Sequence, residues 1–272
     1  MFQAQRIASL DLPELAPYRT LKLPHEHRAQ GFFVAEGDKV VHRLLASAVE
    51  IISVLVPEHR LPEYEPALHA RAENILVFCV TDKHVLEEVV GFEMFQGVMA
   101  VAKIPIQPSW DKLFDANPSP RLFVAADGLT SAENVGVLVR NCVAFHAQAL
   151  IVGETSASPY LRRAVRNSMG TVFQLPIIET VALTKTLTEL RGRGVRCIAA
   201  HPHTDQRDLG QADFRRDSCI VFGSEGHGLS PQVLVACDEA VAIPMPPSVD
   251  SLNVASAAAV FLYEASRQRS HR

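Results

Sequence analysis

The 272-residue sequence has no apolar run long enough to cross a membrane, few cysteines and no surplus of positive charge. Each shortage excludes something. Without a stretch of about 20 apolar residues there is no helical membrane span. The opening MFQAQRIASLDLPEL also lacks the apolar core of a signal peptide. The five cysteines (Cys79, Cys142, Cys197, Cys219, Cys237) are odd in number, far apart and mostly inside apolar runs. That pattern excludes a disulfide framework and a zinc-ligand spacing, and reads as reduced core thiols of a cytoplasmic protein. A net charge of −4 excludes a globally basic nucleic-acid surface. Residues 1–120 hold 11 basic and 16 acidic side chains, residues 121–272 hold 15 and 14. Any contact with RNA must therefore come from a local arginine patch. Internal repeats and low-complexity segments are also missing.

What is present is enough chain for two modest domains, each able to bury a core. Residues 1–30 read as a basic, proline-marked lead-in. Phe32-Phe33-Val34-Ala35-Glu36-Gly37 then precedes a helix with one apolar stripe, Val40, Val41, Leu44, Leu45 and Ala48. Strands are expected over residues 51–56, 75–80 and 97–104, with helical stretches around 64–71 and 82–90. This alternation makes residues 1–105 a small α/β domain. Residues 106–120, rich in proline and polar side chains, read as a linker.

The rest, 121–272, reads as a second α/β domain. A strand over 121–126 leads into the loop 127–133, and Asn134 is placed to cap the following helix. Val135, Leu138, Val139, Cys142 and Val143 form that helix's buried stripe. Arg140 lies off the stripe, and Gly136, one turn earlier, is expected to leave open space beside its guanidinium. A strand over 148–152 and a helix over 160–169 follow, the helix carrying Arg162, Arg163 and Arg166 on its outer side. A basic helix face is commonly only solvated; here it is also the clearest phosphate-binding candidate. Strand 170–176, helix 181–193 and strand 195–200 complete this part. His201-Pro202-His203 has no third ligand at zinc-like spacing, so it reads as a polar loop and no metal site is expected.

The most informative stretch is 219–265. A short apolar strand runs directly into Gly223-Ser224-Glu225-Gly226-His227-Gly228; a second strand over 240–243 ends in the loop 244–250; Ser251 or Asn253 then caps a long alanine-rich helix. Two loops at the carboxyl ends of two strands, closing on one helix start, describe a ligand pocket. Taken singly, such glycines make turns and such caps only cap. The order G-x-x-G-x-G also fails the dinucleotide fingerprint, which wants G-x-G-x-x-G.

FGSEGHGL, IPM and SLNVA, in that order, together with Asn134-x-Gly136-x-x-x-Arg140 and the RNSMG of residues 166–170, resemble the SpoU (TrmH-type) family of RNA ribose 2′-O-methyltransferases in the SPOUT superfamily. The resemblance covers residues 121–268 well. It implies a parallel sheet threaded through a trefoil knot and S-adenosylmethionine as cofactor. It also implies a homodimer built on the last helix, where Ala255, Ala257, Ala258 and Ala259 would permit close approach. By the same resemblance Arg140 acts on the 2′-hydroxyl, with Asn134, Glu225, Ser251 and Asn253 shaping the site. Gly223, Gly226, Ile243 and Leu252 line the cofactor, so that a side chain at Gly223 would fill the ligand's space. FFVAEGDKVV and FQGVMAVA, more loosely, resemble the ribosomal-protein-like RNA-binding domain of such enzymes and tilt the substrate toward rRNA over tRNA. His146 stands where many relatives have glycine, Pro246-Pro247 occupies a loop that often contains glycine, and Ala255 replaces a frequent serine. Two alternatives remain at this point: an RNA-binding protein with a vestigial pocket, and a nucleotide-dependent α/β enzyme whose glycine loop holds phosphate.

Overall fold

The computed structural model describes residues 2–81, 97–204 and 207–270. The helix expected around residues 82–90 lies outside the described residues. The chain divides into two compact units, one of Met1–Ile106 with Tyr160–Phe173, the other of Gln107–Pro159 with Gln174–Arg272.

Among the described residues the first unit is built on five strands: β1 (Phe2–Ile7), β2 (Phe32–Glu36), β3 (Ile51–Pro57), β4 (Ile75–Val80) and β5 (Met99–Lys103). Their order is β1-β4-β3-β5-β2. β1 and β3 run parallel to β4, while β5 runs antiparallel to both β3 and β2. β1 corrects the reading of residues 1–30 as a mere lead-in. Its Gln3, Ala4, Gln5 and Arg6 are exposed, so it shows no apolar alternation. Backbone pairing from Phe2 opposite Ile75 to Ile7 opposite Val80 holds it at the edge. The rest of the lead-in folds into short helical turns that bury Leu15, Tyr18 and Leu21 among Leu55, Phe78, Met99 and Val101. The Tyr18 hydroxyl shares a hydrogen bond of 2.8 Å with Ser53 Oγ.

The helix Asp38–Leu45 buries Val40, Val41, Leu44 and Leu45; it ends before Ala48, which is exposed. Beyond its end, Arg71 donates to the carbonyls of Leu45 (3.1 Å), Ser47 and Val49 (2.6 Å) and pairs with Glu73. One arginine thus supplies donors to three carbonyls that no helix or strand would satisfy.

In the first unit, too, is the helix Arg162–Asn167, shorter than the expected 160–169, with Ala164 and Val165 buried. The strand expected over 170–176 does not form there. Met169 (φ 55°) and Gly170 (φ 81°) take the left-handed conformation and a 3-10 turn, Thr171–Phe173, follows. Two successive left-handed residues cannot continue an extended strand.

The second unit holds six parallel strands: β6 (Leu122–Ala126), β7 (Ala149–Val152), β8 (Ile177–Glu179), β9 (Arg196–Ala200), β10 (Ser218–Phe222) and β11 (Glu239–Val241). Their order is β11-β9-β10-β6-β7-β8. The chain therefore steps outward from β6 through β7 to β8, then builds the other half beyond β10. That reversal puts the crevice beside β6 and β10, at their carboxyl ends. One face of the sheet is covered by Leu183, Leu187 and Leu190 of the helix Leu183–Gly192, buried with Phe123, Ile151, Cys197 and Val221. Each such leucine stabilises the fold by roughly 1.5–3 kcal/mol. Residues 106–120 are not featureless. They hold the helix Trp110–Ala116, started by Ser109 Oγ, with Leu113 buried in the same core.

The five cysteines are free thiols, all buried except the half-buried Cys237. Burial first, then the neighbouring Cys197 and Asp238, push the Cys237 thiol up to about 12. Among the described residues no helix is long and apolar enough to cross a membrane.

Candidate active site

Strand register sets the floor of the site. Phe222 of β10 lies opposite Ala126 of β6 and Ala200 of β9, and Ala200 lies opposite Val241 of β11. Four strands therefore end at one level, and the loops that leave β9, β10 and β11 surround a pocket of about 320 Å³. Its walls come from Ala200–His203, from Phe222–Gly228, and from Val241, Ile243 and Met245 after β11. Asp250, Ser251 and Leu252 close it, together with Val254, Ala257 and Phe261 of the last helix. Gly223, Gly226, Ile243 and Leu252 are thus brought together on one cavity. Pro246 and Pro247 lie outside it, in an exposed turn closed by Val249 N–H to Pro246 O at 3.0 Å.

The glycine loop is a closed turn. Ser224 and Gly228 exchange backbone hydrogen bonds of 2.9 and 3.0 Å, and Ser224 Oγ accepts from His227 N–H at 3.1 Å. A Cβ on Gly223 would stand 2.2–2.4 Å from the backbone of Gly228 and Leu229. The expectation that a side chain at Gly223 would fill ligand space is therefore corrected: the loop's own return path fills it. Gly226 is different, for a Cβ there meets nothing within 4 Å. Asp127, buried at the end of β6, accepts from Ser230 N–H at 2.7 Å and so ties the far end of the loop to the sheet.

A polar cluster stands beside the loop. Asn253 Nδ2 donates to Glu225 Oε1 and, at 3.3 Å, to Asn134 Oδ1. Its Oδ1 accepts from Ala255 N–H at 2.9 Å, so Asn253, not Ser251, caps the helix Val254–Ser270. Three of the five expected site residues are joined by one amide. Ser251 is exposed on the pocket rim. Asn134 does not cap its own helix: Ser131 Oγ accepts its N–H at 3.3 Å and starts the helix Ala132–Ala144. Freed of that duty, the Asn134 side chain meets Asn253.

Arg140 is exposed and has no hydrogen bond or ion pair among the described residues. Gly136, one turn before it, is buried. The neighbouring Asn141 Nδ2 donates to Ala255 O at 2.7 Å, fixing this helix against the last one. Val135, Leu138, Val139 and Cys142 are buried as expected, Val143 only partly. His146 adopts φ 59° just past the helix end, where Ala147 N–H returns to Cys142 O at 2.8 Å. That is a glycine-type helix stop occupied by histidine. Ala255 and Ala258 are buried within the chain, so they are not open to a partner helix; Val260 and Tyr263 are the exposed apolar residues of that element.

The arginine face of the helix Arg162–Asn167 is only partly free. Arg162 and Arg166 both pair with Glu36, whose side chain is 8% exposed, while Arg166 itself remains 65% exposed. Arg163 is exposed as well. Sequence reasoning missed this pairing because Glu36 lies about 130 residues away. It also set aside His201 and His203, which line the pocket, their rings edge to face at 6.2 Å. Among the described residues no group of three or more His, Cys, Asp or Glu is placed to hold a metal ion.

Comparison with known proteins agrees on one family. The model of the SpoU rRNA Methylase family matches residues 121–263. An uncharacterized tRNA/rRNA methyltransferase of Mycobacterium bovis is 31% identical over 275 residues, covering 98% of this chain and 93% of that protein. The 23S rRNA (guanosine-2'-O-)-methyltransferase RlmB of Ralstonia nicotianae is 35% identical over 214 residues, 78% of this chain and 84% of its own. The SpoU methyltransferase AviRb from Streptomyces viridochromogenes, solved in complex with its cofactor AdoMet, has a TM-score of 0.81 at 26% identity. That match covers 94% of this chain and 98% of AviRb.

Proposed function

The chain belongs to the SpoU rRNA methylase family and is an RNA methyltransferase dependent on S-adenosylmethionine; from that premise we propose that it methylates a ribose 2′-hydroxyl in structured RNA, ribosomal RNA in preference to transfer RNA. The observation that carries this reading is the single amide of Asn253 joining Glu225 and Asn134 at the mouth of the 320 Å³ pocket. The pocket suits the cofactor in size, for small-molecule sites begin at about 300 Å³. Phe222, Ile243, Leu252 and Phe261 give it an apolar wall for a purine, and Glu225 and Asp250 supply carboxylates for a cationic ligand. Gly223 allows the loop to fold back on itself, and Gly226 leaves the space that the ligand takes.

When bound, S-adenosylmethionine supplies a methyl group activated by a sulfonium. The protein must align the ribose oxygen with that methyl and relieve the oxygen of its proton. Arg140 faces the hydroxyl. With a pKa above 12 a guanidinium is a poor free base. Its role is to stabilise the forming alkoxide and to relay the proton toward a neighbouring phosphate, for which a guanidinium unengaged by described residues is suited. Asn134 and Ser251 orient the nucleotide, and Asn253 keeps Glu225 and Asn134 in register.

In this reading residues 1–105 are a ribosomal-protein-like substrate domain, residues 106–120 connect it, and residues 121–272 are a trefoil-knotted methyltransferase domain. Arg163 and Arg166 contact RNA phosphates; Arg162 mainly braces Glu36. The enzyme works in the cytoplasm as a homodimer, with the Val260 and Tyr263 face of the last helix against its partner. The test is to map ribose methylation in total RNA from cells with and without the protein. Loss of one 2′-O-methyl mark, in rRNA, is expected. An unchanged ribose map with a missing base methyl would overturn the proposal.

A further inference from the structure

His201 and His203 share the pocket with Glu225, His227 and Asp250, and among the described residues no other titratable side chain lines it. His201 is anchored by its own backbone N–H, which donates to Val241 O of β11 at 3.0 Å. Its Nδ1 is sealed from solvent and has no hydrogen-bond partner among the described residues. A neutral imidazole tolerates this, because one ring nitrogen carries no proton. An imidazolium does not: its Nδ1–H would be a buried donor without an acceptor, next to a second imidazole at 6.2 Å. Burial, and then His203, hold the His201 pKa below the ordinary imidazole value. Glu225 has its Oε1 engaged by Asn253, and Asp250 and His227 are exposed, so the carboxylates do not offset this at close range.

We propose that His201 and His203 set the pocket's choice between the cationic sulfonium of S-adenosylmethionine and the neutral thioether of its product, S-adenosylhomocysteine, and that protonating His201 shifts that choice toward the product. The inference rests on the proposed placement of the cofactor in this pocket. Cofactor and product carry the same purine, ribose, ammonium and carboxylate; they differ by one methyl and one positive charge. Neutral imidazoles admit that charge. An imidazolium in the same small cavity repels it and leaves the thioether less affected, because like charges in a partly dry site interact strongly. Acidification thus expels substrate cofactor before product.

The test is calorimetric titration of both ligands into the full chain at pH 8.0 and pH 5.0, with circular dichroism confirming the fold at each pH. In the parent, the ratio Kd(S-adenosylmethionine)/Kd(S-adenosylhomocysteine) is expected to rise about fivefold or more on acidification. In His201→Gln/His203→Gln the rise should be clearly smaller than in the parent, since of the three pocket histidines only His227 remains. A pH-independent ratio in the parent overturns the proposal, and so does an unchanged pH response in the double variant. Gly226→Val, run alongside, separates the two levels of inference. If it binds both ligands as the parent does, the cofactor lies elsewhere and both readings fall. If it binds neither, the pocket stands and the histidine claim is judged on its own ratio.

Discussion

Adding one methyl group at position 223 should force the glycine loop open, whereas adding one at 226 should leave the loop folded. In Gly223→Ala the new Cβ would meet Gly228 C at 2.2 Å, Leu229 N at 2.3 Å and Gly228 O at 2.4 Å, all of them backbone. No rotamer relieves a clash with backbone, so the loop must open. Opening sacrifices the two hydrogen bonds between Ser224 and Gly228, 2.9 and 3.0 Å long. At about 0.5–1.5 kcal/mol each, the loss is about 1–3 kcal/mol. For a protein of this length that is a fall in Tm of roughly 2–5 °C. The same movement displaces Glu225 and Gly226 from the pocket wall, so affinity for S-adenosylmethionine should fall at least about tenfold, the equivalent of 1.4 kcal/mol. Gly226→Ala meets nothing within 4 Å and should change Tm by no more than about 1–2 °C. Thermal denaturation and calorimetric titration on the same preparations give both readings. A Gly223→Ala protein with parental Tm and parental affinity would refute the reasoning, since it would mean that the loop does not pack as described.

Other perturbations address the remaining structure. His146→Gly removes a side chain from a left-handed helix stop (φ 59°) and should stabilise the protein by about 1 kcal/mol, read as a higher midpoint in urea. Arg71→Ala leaves Glu73 and three carbonyls short of donors and should cost roughly 3 kcal/mol. Burial raises the Glu73 pKa, but hydrogen bonds from Arg71 and from backbone N–H groups outweigh it and hold the carboxylate at about 2. Its folded pKa is depressed, so its contribution is full above pH 4.5 and lost as pH falls toward 2; the stability of Arg71→Ala should therefore decline less steeply over that range. Arg163→Ala should flatten the salt dependence of RNA binding, and Arg162→Ala should lower Tm by stripping a partner from Glu36. Arg140→Ala should keep parental stability and cofactor affinity while single-turnover methylation drops about 100-fold or more; near-parental turnover would remove it from the mechanism.

Much of the second unit was legible because its parallel strands are buried on both faces and so appear as short apolar runs, LFVAA and SCIVF among them. The pocket was legible for a related reason: loops that leave such strands must converge at their carboxyl ends. Features decided by contacts between distant segments were not legible. β1 carries FQAQRI, whose polar middle gives no periodic signal, because an edge strand needs only backbone partners. Nothing local in RRAVRN announces Glu36 as its partner. Asn134 and Ser131 are both good caps by residue type, and only the backbone path selects Ser131. At Gly223 a Cβ would meet the loop's own return path, and a loop that returns upon itself cannot be told from one that closes on a ligand until that path is seen.

The most direct measurement concerns the oxygen that receives the methyl. Once the modified nucleotide is mapped, its RNA can be made with a 2′-deoxyribose at that one position and offered with labelled S-adenosylmethionine. Transfer to the all-ribose RNA should proceed, and transfer to the 2′-deoxy RNA should vanish while its binding affinity stays within about threefold of the parent. Equal labelling of the two RNAs would place the methyl on a base and contradict the account.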